Sequence, residues 1–163
     1  MTPRRPRTYR YRTTFDAPLP FVFRWCTDYS PTDPKLEHEA FERRIIERTS
    51  KRIVYEDLEQ LPKGWSWRRH LVTLRPPNRW SSESVGNYRD FHLEYELRAL
   101  PGGRTEMRFR GRRVPAVLGG PNPSVRAFGE SMETSWRYFR KDLEREYRRS
   151  LSHRASRSPA RRR

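Results

Sequence analysis

Four histidines, a single cysteine and a short acidic cluster are the groups in this 163-residue chain that could do chemistry, and their spacing excludes most of it. His38, His70, His92 and His153 have no second histidine or carboxylate at ligand spacing on a shared helix, so no metal is expected and non-haem iron is disfavoured. Cys26 has no CxxC partner and no histidine at metal spacing; it is expected to be a buried thiol in a reducing compartment. There is no G-x-S-x-G, no cysteine–histidine pair and no phosphate-cradling glycine loop. Glu56, Asp57 and Glu59 fall near a hairpin end and are expected to form a solvated rim. That leaves Arg69 and His70, neighbours on one β-rich run. Arg69 shares its parity with Trp67 and Leu71 and His70 shares its own with Val72, so one of the two is expected to face inward. An inward arginine would polarise a carbonyl, and an inward histidine would move protons.

The elements that position these groups are strands, then one helix. Residues 9–16 alternate Tyr9, Tyr11, Thr13 and Phe15 against Arg10, Arg12 and Thr14, the period-two pattern of a half-buried strand. Asp16, with Pro18 and Pro20 after it, is a helix-start signal for a short helix through Thr27, and Asp33-Pro34 opens a second over about residues 35–40. Further β-rich runs cover 41–48, 52–59, 65–74, 79–85, 91–100 and 104–113, separated by turn residues such as Pro101-Gly102-Gly103. In the last two, Phe91, Leu93, Tyr95 and Leu97 oppose Met107 and Phe109, while Glu94 and Glu96 share the other face with Arg108 and Arg110. A Pro/Gly-rich loop follows, with Asn122 or Ser124 available as a cap. Then Val125, Phe128, Met132, Trp136, Phe139, Leu143 and Tyr147 recur at steps of three and four, one apolar stripe of a helix reaching about Leu151. Its polar side carries Glu133/Arg137 and Glu144/Arg148 at i,i+4.

The formal charge of +16 raises a nucleic-acid reading, but Arg4, Arg5, Arg7, Arg154, Arg157, Arg161, Arg162 and Arg163 carry half of that excess on the two ends. The expected layout is a disordered basic tail over 1–8, one domain over 9–151 and a disordered Arg-rich tail over 152–163, with the tails making at most weak, non-specific contact with nucleic acid or anionic lipid. Met107-Arg108-Phe109-Arg110-Gly111-Arg112-Arg113 alternates basic and apolar residues, yet lacks the paired aromatics of an RNA-recognition strand. No apolar run approaches membrane-span length and no h-region follows the basic start, so a cytoplasmic protein without a transmembrane segment is expected.

Three stretches carry a resemblance. Tyr9-Arg10-Tyr11-Arg12-Thr13-Thr14-Phe15-Asp16-Ala17-Pro18 resembles the first strand and helix entry of the START-like, or SRPBCC, superfamily. Val22-Phe23-Arg24-Trp25-Cys26-Thr27-Asp28 is similar to its first-helix signature, and Pro101-Gly102-Gly103-Arg104-Thr105 to its turn between the last two strands. The likeness spans residues 9–151 and implies an α+β helix-grip fold: a curved antiparallel sheet of about seven strands wrapped around a long C-terminal helix, with two short helices after strand one. It also implies a cavity between sheet and helix for a small hydrophobic molecule such as a lipid, quinone or polyketide; no cofactor is expected. The expected wall residues are Tyr11, Trp25, Trp67, Arg69, Tyr95, Phe109, Phe128, Gly129, Met132 and Trp136. A polyketide cyclase- or dehydratase-like enzyme using the same cavity is the alternative, and a nucleic-acid-binding sheet protein the third reading.

Overall fold

The computed structural model describes residues 7–33, 41–62, 64–87, 89–115 and 122–157. The elements are β1 (Arg7–Phe15), α1 (Leu19–Cys26), β2 (Phe41–Arg48), β3 (Arg52–Leu61), β4 (Gly64–Arg75), β5 (Arg79–Gly86), β6 (Arg89–Leu100), β7 (Arg104–Pro115) and α2 (Val125–Arg157). All strands pair antiparallel in one sheet of order β1-β7-β6-β5-β4-β3-β2. β2 to β7 form a meander, because each tight turn returns the chain beside the strand it left; Gly102 (φ 78°) and Gly103 (φ 70°) supply the left-handed pair that the β6–β7 turn requires. β1 closes on β7 at the far edge, so the first and last strands are neighbours.

The expected seven strands are all present, and the first begins at Arg7, inside the segment expected to be a tail. α1 starts without help from Asp16: Pro18 is its N-cap with no side-chain cap, and the Asp16 N–H donates instead to Glu144 Oε1 on α2 at 3.0 Å. The short helix expected over 35–40 lies outside the described residues. α2 runs to Arg157, past the expected end at Leu151. Ser124 opens it, its Oγ accepting the Ala127 N–H at 3.1 Å.

α2 is seated unevenly. Among its described side chains only Leu143 is fully buried, in a core with Phe15, Ala17, Val22, Leu97 and Met107. Around that anchor Phe21 meets Tyr147 at 5.0 Å between ring centroids, and Trp25 Nε1–H donates to Glu146 at 3.0 Å. Val125, expected on the buried stripe, is 65% exposed. Toward this start of the helix α2 keeps to β1, with Phe128 on Tyr9 (4.0 Å) and Glu133 on the Tyr11 hydroxyl, and space opens between the helix and the strands beyond.

Candidate functional site

Strand register decides which side chains reach that space. Three rows run across the concave face: Leu74–Trp80–Tyr95–Phe109–Tyr11, then Ile53–Val72–Ser82–Leu93–Gly111–Tyr9, then Tyr55–His70–Ser84–Phe91–Arg113. The first is mostly aromatic, the second mixes aliphatic with small side chains, and the third is mostly polar. Beneath the amino-terminal half of α2 they floor a cavity of about 860 Å³ whose walls grade from apolar to polar.

At the apolar end Trp80 stacks on Tyr95 (4.6 Å, 6°), Tyr95 meets Phe109 edge-on at 5.2 Å, and Phe109 meets Phe128 of α2 at 5.9 Å. Gly111 makes this wall possible. A Cβ there would lie 2.5 Å from Phe109 Cζ and 3.1 Å from Leu93 Cδ2, so the glycine lets the phenyl ring lie across its own strand.

At the other end Arg43 of β2 binds Asp57 of β3 in fork geometry, Nε to Oδ1 at 2.8 Å and Nη2 to Oδ2 at 3.0 Å, and reaches Asp33 Oδ2 with Nη1 at 2.8 Å. The side chains of Arg43 and Asp57 are 6% and 4% exposed, so this charge-assisted pair is shielded from water. The Arg43 guanidinium lies 4.3 Å from the Tyr55 ring centroid, and His70 stacks on the same ring at 4.4 Å and 7°. Burial, with the charges of Arg68 and Arg43, pushes the imidazole down to about 3, so His70 is neutral. Its Nε2 lies 3.5 Å from Asp57 Oδ2, a contact between a carboxylate and a neutral ring rather than an ion pair, and is buried without a hydrogen-bond partner. Burial raises Asp33 to about 6 against the opposing pull of Arg43. Tyr29 receives the Trp80 indole N–H at 3.1 Å, and burial pushes its hydroxyl up; Cys26, on the same wall, is raised likewise.

Of the expected wall residues, Trp25, Tyr95, Phe109, Phe128, Met132 and Trp136 stand on the cavity. Tyr11 has the inward parity but lies at the rim, its hydroxyl donating to Glu133 Oε2 at 2.7 Å; burial and that carboxylate push it up to about 12. Gly129 is not on the wall, and no heavy atom lies within 4 Å of a Cβ built on it, so no close approach explains the glycine. Trp67 and Arg69 are corrected: both point to the outer face, Trp67 37% exposed and Arg69 paired with Glu56 at 2.6 Å. Val72, at 0% exposure, fixes the β4 parity and carries Ser66, Arg68 and His70 inward with it. Asp57, expected on a solvated rim, is 3% exposed because it shares parity with the buried Ile53 and Tyr55. Arg43, Arg68, Ser82 and Arg113 also line the cavity and were not singled out from sequence; their inward parity relative to core residues was the available signal. Among the described residues no group of three or more metal-ligating side chains comes together.

A curved antiparallel sheet closed on a long C-terminal helix, with the cavity between them, is the helix-grip fold of START-like proteins. Solved structures with this architecture include the Zhui aromatase/cyclase from Streptomyces sp. R1128 (12% identity, TM-score 0.60, 96% of this chain and 99% of that one). Ara h 8.0201 (15%, 0.63, 88% and 98%) and a START superfamily protein from Mycobacterium smegmatis (11%, 0.62, 87% and 97%) are similar in the same way. Neither a protein-family profile nor a curated protein matches the chain.

Proposed function

We propose that the protein binds and carries a small hydrophobic molecule with a polar group at one end. The observation that supports this most is the cavity itself, about 860 Å³, aromatic at one end and hydrogen-bonding at the other. That volume suits a drug-sized ligand, and burying roughly 200 Å² of apolar ligand surface contributes roughly 5 kcal/mol. The polar side chains on the cavity wall, among them Tyr29, Asp33, Ser82 and His70, are the groups that would orient the polar end. The fold neighbours named above are compatible with such a ligand and do not specify it.

Native mass spectrometry of the purified protein, with titration of an environment-sensitive apolar dye, tests the reading. Dye binding should weaken at least about tenfold when the floor is plugged by Ser82→Phe, since the added ring occupies the space a ligand needs. Unchanged dye affinity in a folded Ser82→Phe protein would refute it.

A second reading, cyclase- or dehydratase-like chemistry in the same cavity, is favoured by one observation, the cluster of Arg43, Asp57 and His70. Two facts weigh toward carriage. Arg43 already holds two carboxylates through three hydrogen bonds, and an imidazole lowered to about 3 by burial lacks the acidic imidazolium proton at neutral pH. NMR titration of the His70 ring separates the readings: constant shifts from pH 8 to pH 5 fit a binding group, and a midpoint near 7 would favour a proton-transfer catalyst. For the nucleic-acid reading, Met107 and Phe109 of the alternating run are buried inward and offer nothing to stack on a base.

A further inference from the structure

Opposite the cavity, the outer face of the β1–β7 pair sets arginine against arginine. Arg10 stands across from Arg110 and Arg12 across from Arg108, with Arg112 next along β7, and all five are exposed. Like charges directly opposite on neighbouring strands disfavour the pairing. Only Arg108 is compensated, its Nε donating to Glu106 Oε1 at 2.7 Å. Among the described residues no ion pair or hydrogen bond meets the guanidinium of Arg10, Arg12, Arg110 or Arg112. On β6, Glu96 stands across from Arg108 but pairs with Arg79 at 2.6 Å, and Glu94 stands across from Arg110 with no ion pair or hydrogen bond between them. With side chains about 7 Å apart along each strand and strands about 5 Å apart, the four cations form a compact basic band, bordered on the β6 side by Glu94.

We propose that this face docks the protein on an anionic lipid surface. The cations sit on the face of the sheet turned away from α1 and α2, a geometry suited to a broad layer of negative headgroups. No aromatic side chain stands among them to stack on a base, since the rings of Tyr9, Tyr11 and Phe109 belong to the opposite face of the same strands. Each basic residue held near an anionic leaflet strengthens binding about fivefold, so four together supply roughly several hundredfold. The proposal does not depend on what the cavity holds.

The full chain is tested by co-sedimentation with vesicles of equal parts phosphatidylglycerol and phosphatidylcholine, against phosphatidylcholine alone, at low salt. Replacing Arg10, Arg12, Arg110 and Arg112 by glutamine should weaken binding at least about tenfold, the basic ends supplying the remainder, while the melting temperature stays level or rises as the like-charge pairs disappear. A second variant with Arg52, Arg69, Arg75 and Arg79 changed to glutamine loses the same charge from other strands and should keep its binding within about threefold. Equal losses in the two variants would overturn the proposal, because overall charge and not this face would then be responsible. Failure of the unaltered protein to pellet with the anionic vesicles would overturn it as well. So would a first variant that binds vesicles normally but loses affinity for a DNA duplex, which would assign the face to nucleic acid.

Discussion

The Arg43–Asp57 pair offers the sharpest test of how the polar end of the cavity is held. Asp57→Asn keeps the shape of the side chain and removes its charge. Arg43, 6% exposed, would then hold two hydrogen-bond donors against a neutral amide that can accept at only one oxygen, leaving the partly accessible Asp33 as its remaining counter-charge. Breaking one side of a buried pair costs about 3–5 kcal/mol, and the lower figure applies here because Asp33 stays. For a chain of 163 residues, about 3 kcal/mol lowers the melting temperature by about 6–12 °C. Thermal denaturation at pH 8, where Asp33 is ionised, measures it, with Glu56→Gln on the outer face as a control that should move by about 1 kcal/mol or less. The double replacement Arg43→Met with Asp57→Leu removes both charges and should recover most of the loss. A single Asp57→Asn variant melting within about 2 °C of the unaltered protein, or a double variant worse than either single one, would refute the argument that Asp57 neutralises Arg43 in a shielded site.

Three further outcomes follow from the same structure. Leu143→Ala should cost about 2–5 kcal/mol, since this side chain is the one described α2 residue wholly inside the core, whereas Val125→Ala should leave the denaturation midpoint almost unmoved. Gly111→Ala should cost about 1–3 kcal/mol and weaken dye binding in the cavity, because the new methyl drives the Phe109 ring off its place; a stable variant with full dye affinity would contradict the close approach. For pH, Asp33 has its folded value raised to about 6, above the ordinary carboxylate value of 3.8, so the folded state holds the proton more tightly. Its contribution is therefore fully present below about pH 4 and is lost as pH rises through about 6. Stability curves of the unaltered protein and Asp33→Asn should diverge over that window, the unaltered protein falling relative to the variant, and parallel curves would show that Asp33 is not desolvated.

Much of this architecture was legible because two periodicities are written plainly in the chain. The alternation of Tyr9, Tyr11, Thr13 and Phe15, the glycine turn at Gly102-Gly103 and the three-and-four spacing from Phe128 to Tyr147 each admit one main reading, and the strands and long helix lie where they point. β4 was harder because both faces carry apolar side chains: Trp67 and Leu71 on one, Val72 on the other. Hydrophobicity alone favours the tryptophan as the inner residue. Packing chose Val72, and His70 went inward with it while Arg69 went out. Asp57 was misjudged for a related reason, since a carboxylate near a hairpin end is usually wet, and the counter-charge that allows its burial comes from Arg43 on another strand. The basic band on β1 and β7 could not be read before register was known, because residues about a hundred positions apart become opposed pairs only once the first strand closes on the last.

The lopsided seating of α2 has a consequence for how the molecule breathes. Leu143 is riveted in the core, whereas the first turns are held nearer the surface, by Phe128 on Tyr9 and Glu133 on the Tyr11 hydroxyl, so they open at lower cost than the rivet. Amide protons in the first turns should then exchange with solvent far sooner than those around Leu143.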